Sequence, residues 1–272
     1  MSSTILFPAA GSLTLICAAI IWRGTSQPSS AHKCGATVIA GLMSVTIALN
    51  IWAIHMAQAV TADGINFTLA TGAAISTLIV QCIYTFGVIR HGIQGLGLFL
   101  LPATALPLFL IPFLPEANVP NWVHTSSLLE TSHLLISLMA YAVLTLAALH
   151  AFMQLQLDRA LKKKRLSSMI QALPPLVSIE RHMMAQVKVA TILIGTSILT
   201  GLIWQWIDHH YFAILNHKVL LATFTLAVLI LLQIKRARAS WPAKMASRAI
   251  LTAYALLMLA YFGVKLIGSW LS

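Results

Sequence analysis

Eight long apolar stretches constrain this chain more than any other feature of its sequence. A helix that crosses a bilayer needs about 20 predominantly apolar residues, because each residue adds only about 1.5 Å of rise. In hydrocarbon the backbone has to satisfy its own hydrogen bonds, so such stretches span as helices. The sequence therefore predicts an all-α, polytopic bundle of about eight transmembrane helices that forms a single domain over residues 1–272. The predicted spans cover residues 5–22, 35–56, 67–89, 94–114, 127–154, 184–207, 217–234 and 249–270.

Composition excludes a soluble protein. Hydrophobic residues make up 59% of the chain and charged residues only 8%, whereas soluble domains contain about 25% charged residues. The three cysteines, Cys17, Cys34 and Cys82, lack the spacing of a zinc site or a disulfide framework. The first apolar stretch has neither a charged segment before it nor a small-residue cleavage site, so we expect a retained span rather than a signal peptide.

The distribution of lysine and arginine predicts how the chain is oriented. The net charge is +11. The lysines and arginines of the loops cluster in the first, third, fifth and seventh loops, whereas the second loop, the fourth loop and the sixth loop as far as Asn216 contain none. In membrane proteins, short cytoplasmic loops contain more lysine and arginine than external loops do. The odd-numbered loops are therefore predicted to be cytoplasmic and both termini external. We therefore expect a multi-pass protein of the bacterial inner membrane. The run Lys162-Lys163-Lys164-Arg165 is then a surface for membrane lipids, and no role with nucleic acid is expected.

One polar stripe inside the fifth span is the first candidate site. His133, Ser137 and Tyr141 recur every four residues and therefore share one helix face. An ionisable residue about two turns inside a membrane helix is costly and indicates function by default. Histidine is also a common ligand of metals and haem. His133 is therefore either a ligand or a structural histidine that bonds a neighbouring helix.

The predicted orientation places two further histidines at the depth of His133. His55 lies at the external end of the second span, and His217 lies at the external start of the seventh. Two neutral imidazoles on facing helices can ligate a haem iron axially, although the sequence does not bring these helices together laterally. Lys218 and Lys265 also lie at external ends, where they either reach the headgroups or neutralise an anionic ligand such as haem propionates.

The other histidines are weaker candidates. His91 and His182 lie beside basic cytoplasmic loops, where contact with lipid headgroups explains them. His124 lies in an external loop and is an alternative ligand. His150 lies near the inner end of the fifth span, far from the external group.

The chain resembles a known family at several motifs. The segment from His133 to Tyr141, followed by Leu146-Ala147-Ala148-Leu149, is similar to the histidine-bearing span of the cytochrome c assembly family. That family includes CcsA-like, HemX-like and CcmC-like membrane proteins, and the chain most resembles an eight-span, YpjD-type subgroup. Further matching motifs are Pro174-Pro175-Leu176, Ile179-Glu180, Thr200-Gly201-Leu202, His217-Lys218-Val219-Leu220 and the segment from Leu259 to Lys265.

The resemblance implies haem handling at the external face of the membrane. His133 matches the family's histidine, and His217-Lys218 stands where relatives have the end of a tryptophan-rich segment that presents haem. This sequence departs from them there, because it has Trp204-Gln205-Trp206-Ile207-Asp208 and a short loop. A complete cytochrome c synthase is therefore not expected, and no set of catalytic residues is visible.

Three functions remain open from the sequence. The first is a non-enzymatic haem-binding protein that holds or passes haem b near the outer leaflet through His133 with His55 or His217. Its partners would be membrane lipids, haem and other cytochrome c biogenesis or membrane proteins. The second is a structural or regulatory membrane subunit without a cofactor. The third is a small-molecule transporter whose proline-interrupted fourth span lines a path.

Overall fold

The predicted helical architecture is confirmed. The computed structural model describes residues 3–26, 35–61, 64–91, 94–114, 122–124, 127–164, 175–210, 216–238 and 241–260. These residues form eight α-helices, one for each apolar stretch of the sequence. They are α1 Ser3–Ser26, α2 Ala36–Met56, α3 Leu69–His91, α4 Gly97–Leu110, α5 Leu128–Lys162, α6 Leu176–His209, α7 His217–Arg238 and α8 Ala243–Met258.

The first seven stretches are long and apolar enough to cross a membrane. Within the described residues these segments are Ile5–Gly24, Ala36–Met56, Leu69–Arg90, Gln94–Phe113, Leu128–Lys162, Leu176–Asp208 and His217–Arg238. Helix α8 has 16 residues, and residues 261–272 lie outside the described part. The count of eight spans and the external location of the termini therefore stay predictions.

Helices α5 and α6 are longer than the apolar stretches that predicted them. α5 continues to Lys162 and α6 begins at Leu176, although hydropathy alone ended and began these spans at residues 154 and 184. Most residues added to α5, among them Leu157, Ala160 and Leu161, favour helix, and Lys162 pairs with Asp158 one turn earlier at 2.9 Å. Pro175 directly precedes α6, where a fixed φ suits a helix start. Hydropathy thus predicted the apolar part of these helices but not their full length.

A short two-stranded ladder lies outside the helices. Strand β1 (Gly64–Asn66) pairs antiparallel with β2 (Trp122–His124), with Ile65 opposite Val123. It joins the loop after α2 to the segment before α5. This ladder was not predicted from the sequence, because three-residue strands leave almost no periodic signal.

The chain divides into two compact units. The first comprises Met1–Val60, Ala70–Leu114 and Gln156–Ile179. An apolar cluster from α1 to α4 fills it, including the fully buried Ala10, Ala53 and Leu108. Deeper in this unit, the Gln81 Nε2 amide donates to Thr14 Oγ1 at 3.3 Å. The single-domain organisation over residues 1–272 stays a prediction.

The second unit comprises Thr61–Leu69, Pro115–Leu155 and Glu180–Ser272. Polar contacts join its helices. Gln233 of α7 donates to Thr191 of α6 at 2.7 Å. Glu180 at the start of α6 forms an ion pair with Arg236 at the end of α7, and Arg236 also donates to the Trp241 carbonyl oxygen at 2.6 Å. This unit contains the candidate stripe of α5.

Candidate functional site

All three residues of the α5 stripe bond neighbouring helices of the second unit. Ser137 Oγ lies 2.7 Å from Ser197 Oγ on α6, and the Tyr141 hydroxyl donates to the Leu257 carbonyl oxygen on α8 at 2.9 Å. His133 Nδ1 lies 2.9 Å from the Ser197 carbonyl oxygen. The shared face predicted from the sequence is therefore the seam along which α5 packs.

The hydrogen bond of His133 determines which ring nitrogen carries the proton. A carbonyl oxygen only accepts, so Nδ1 must be the N–H that donates to Ser197. Thr200 Oγ1 lies 3.3 Å from the same nitrogen, but its own proton is directed to the carbonyl oxygens of Thr196 and Ser197 at 2.9 and 3.0 Å. The neutral ring consequently has its lone pair on Nε2.

This geometry suits a ligand for a metal or a haem iron. Among the described residues, no hydrogen bond reaches Nε2 of the half-buried His133 ring. Metal-ligating histidines usually donate their other N–H to a carbonyl or carboxylate, which fixes the tautomer and the ring orientation. The Ser197 carbonyl oxygen does this for His133.

Gly201 of α6 makes room for the imidazole. A Cβ atom at this position would lie 2.8 Å from Cε1 and 3.1 Å from Nδ1 of His133. Both distances are shorter than ordinary carbon contacts of about 3.5–4.0 Å. The ring therefore lies against bare backbone, and any larger residue at position 201 would displace it.

Aromatic residues follow this contact toward the end of α6. Trp204 comes three residues after Gly201, so it lies one turn further along the same side of the helix. The exposed Trp206 makes an edge-to-face contact with His210, with ring centroids 6.5 Å apart. These indoles belong to the segment Trp204–Asp208 that the sequence comparison above set against the tryptophan-rich segment of the resembling family.

The other predicted site residues are distributed over the chain. His217 and Lys218 are exposed at the start of α7, in the same unit as His133, and the Lys218 backbone N–H is capped by Asn216 Oδ1 at 3.1 Å. His55 is exposed near the end of α2 in the other unit. Lys265 lies outside the described residues. In the described part of the chain, no three histidine, cysteine or acidic side chains form a metal-binding group.

The α6 side of this site was not predicted from the sequence. Ser197 and Gly201 are four residues apart and share the face that receives His133. A signal was present, because glycine inside an apolar helix often marks close approach of another element. The Thr200-Gly201-Leu202 motif had been noted only as part of a resemblance.

The long apolar helices of this chain define a multi-pass membrane protein, and one of them, α5, contains the stripe of His133, Ser137 and Tyr141. Comparisons with known proteins support the same class. Residues 41–272 match the family described as cytochrome C assembly protein. Inner membrane protein YpjD of Escherichia coli K12 is 28% identical over 253 residues, which are 90% of this chain and 92% of that protein. YpjD of the O157:H7 strain matches equally.

A further relative from Azospirillum brasilense is an uncharacterized 28.8 kDa protein in the nifR3-like 5' region. It is 33% identical over 135 residues, and the match spans half the length of each protein. No solved structure matches the chain.

The chain belongs to the cytochrome c assembly family. It is a multi-pass protein of the inner membrane, as its membrane-length helices and its similarity to YpjD indicate. Family membership gives it a haem-related membrane function, and the family is one of haem-handling membrane proteins rather than of enzymes in the usual sense.

Proposed function

We propose that this protein binds haem b near the outer face of the inner membrane, and that it holds or passes it with His133 as an iron ligand. The observation that carries the proposal is the Nδ1 hydrogen bond to the Ser197 carbonyl oxygen at 2.9 Å. It leaves the Nε2 lone pair available in a half-buried ring of fixed orientation. Family membership supplies the cofactor class.

The outer location follows from the charge pattern of the loops. A positive-inside orientation with eight spans and both termini external would put the start of α5 outside. His133 lies about 8 Å along the helix axis from Leu128, the first residue of α5. The imidazole therefore lies in the outer leaflet, within reach of a ligand that enters from that side.

The second iron ligand is His217 or His55 in this proposal. His217 lies in the same compact unit as His133, which supports it, while His55 lies in the other unit. When bound, haem supplies a redox-active iron and two anionic propionates. Lys218 and Lys265 would neutralise those carboxylates. The Ser197 carbonyl oxygen orients His133, and Gly201 gives the ring its space. The protein then acts by binding and release, together with membrane lipids and other cytochrome c biogenesis proteins.

Absorbance of the purified protein tests this proposal. Wild type expressed with ample haem should show a Soret band, and His133→Ala should abolish or shift it while the protein still inserts. His150→Ala is a matched control, because His150 is a buried histidine of the same helix whose Nδ1 bonds a carbonyl oxygen. Wild type without a Soret band, or an unaltered band in His133→Ala, would refute the proposal.

A second candidate function is a structural or regulatory membrane subunit without a cofactor. The observation in its favour is that His133, Ser137 and Tyr141 all bond neighbouring helices. In that case His133→Ala would cost only stability, about 0.6 kcal/mol for an average interhelical hydrogen bond in a membrane protein. The two candidates therefore differ in the Soret band and not in the expected loss of stability.

A further inference from the structure

A second pair of histidines lies toward the opposite end of α5. His150 of α5 and His182 of α6 both belong to the second unit. Their ring centroids are 6.4 Å apart, and the ring planes make an angle of 38°. His150 is only 5% exposed, whereas His182 is exposed. Neither residue has a role in the proposed haem site.

His150 also has a fixed tautomer. Its Nδ1 lies 2.8 Å from the Leu146 carbonyl oxygen one turn earlier, so Nδ1 is protonated and the lone pair is on Nε2. The Gln186 side chain lies beside the same imidazole, and its buried Oε1 has no hydrogen-bond partner among the described residues. A lone pair on nitrogen and an unpartnered amide oxygen thus lie together, and a cation satisfies both.

The buried side chains that follow this pair on α5 and α6 are neutral. One turn after His150, Gln154 accepts a hydrogen bond from Ser247 Oγ at 3.0 Å, and Ser247 also approaches the Met183 thioether at 3.9 Å. In the described part of the chain, no cysteine or acidic side chain joins the two histidines in a metal-binding group. The nearest acid along α6, Glu180, is paired with Arg236.

The lack of an anionic ligand restricts which ion can bind. A buried charge in a neutral environment is costly, and the cost rises with the charge of the ion. A monovalent ion that binds imidazole and needs few ligands therefore fits better than a divalent ion. The thioether of Met183 is also a soft group, which such an ion prefers. Copper(I) meets these conditions.

We propose that His150 Nε2 and the His182 imidazole bind one copper(I) ion, with Gln186 Oε1 beside it. Metal–nitrogen bonds of about 2.0 Å place two imidazole centres that face each other across one ion roughly 6 Å apart. The observed separation of 6.4 Å is close to this value. This site is independent of the haem proposal, because it uses different histidines at a different depth of α5.

Copper(I) titration of the purified full-length protein tests the site. The titration is anaerobic, with ascorbate as reductant and the chromophoric chelator bicinchoninate as competitor. Wild type should bind one copper(I) ion per chain, and zinc(II) should not displace this ion. His150→Ala and His182→Ala should each weaken copper(I) binding by at least about 100-fold. Loss of a residue that only orients a ligand costs about 100-fold at most, so a larger loss indicates direct ligation. His210→Ala, which removes an exposed histidine of the same unit, should bind like wild type.

The proposal would be overturned by a wild type without stoichiometric copper(I), by both alanine variants with wild-type affinity, or by a change of the haem spectrum in His150→Ala or His182→Ala. Because His182 is exposed, His182→Ala should fold even if His150→Ala does not, so that the pair remains testable. X-ray absorption of the copper-loaded protein should show nitrogen neighbours at about 2.0 Å. An all-sulfur shell would also contradict the assignment.

Discussion

The two histidines of α5 have the same protonation pattern but different surroundings. In each ring Nδ1 bonds a carbonyl oxygen and Nε2 has the lone pair. For His133 the carbonyl belongs to α6, so the bond also joins two helices. For His150 it belongs to the preceding turn of α5, so the bond orients the ring without joining any other helix.

This difference determines what each end of α5 is suited to hold. The half-buried His133 ring lies against Gly201, and indoles follow on α6, which suits a large flat ligand. The His150 ring is almost fully buried and lies beside the Gln186 side chain, which suits only a small ion. The same residue type can therefore serve haem at one end and a bare ion at the other, because packing and not imidazole chemistry sets the size of the ligand.

The largest expected effect concerns the sidedness of the two ends. Reporter fusions after Lys164 should give a cytoplasmic signal, and fusions after Ser272 an external one, because the basic loops face inward. His133 would then lie on the outer side and His150 on the inner side. An external signal at Lys164, or a cytoplasmic one at Ser272, would reverse the comparison.

A change at Gly201 should affect only the outer end. Gly201→Ala forces the His133 ring to move, because the new Cβ would lie 2.8 Å from Cε1, and we expect a shifted or weakened Soret band. Gly195→Ala is the matched control on the same helix, where a Cβ meets nothing within 4 Å. That control should keep the spectrum and gain up to about 1 kcal/mol of helix stability. Identical spectra of the two variants would contradict the close packing of His133.

The smallest effect is expected from the seam beside His133. Ser137→Ala removes the 2.7 Å hydrogen bond to Ser197 and should lower the free energy of unfolding by about 0.6 kcal/mol, with no change in bound haem. Ser44→Ala, which removes only a bond to the Ala40 carbonyl oxygen of the same helix, should cost less. Thermal unfolding in detergent measures both. If Ser137→Ala lost its haem, the seam and the ligand site would not be separable.

Much of the fold could be predicted from the sequence, because hydropathy marks where a chain lies in lipid. Each apolar stretch became one helix. The helix ends beyond the membrane were not predictable in this way, since Asp158 and Lys162 continue α5 through local pairing that hydropathy does not register. The strand pair at Ile65 and Val123 was too short to leave a pattern.

The candidate site was predictable from one side only. The four-residue spacing indicated His133, Ser137 and Tyr141, because such spacing places residues on one helix face. The partner of His133 was not predictable, since every residue offers a carbonyl oxygen and only packing selects that of Ser197. The pairing of His150 with His182 was missed for the same reason, because sequence does not specify which helices are neighbours.

Imidazole rescue of a cavity variant tests the central claim most directly. His133→Gly removes the proposed iron ligand and leaves space for a free imidazole molecule beside Gly201. The purified variant should lack the wild-type Soret band and should recover it when imidazole is added. A His133→Gly protein that retains the unaltered wild-type band, or a wild type that has none, would contradict the claim that His133 ligates haem.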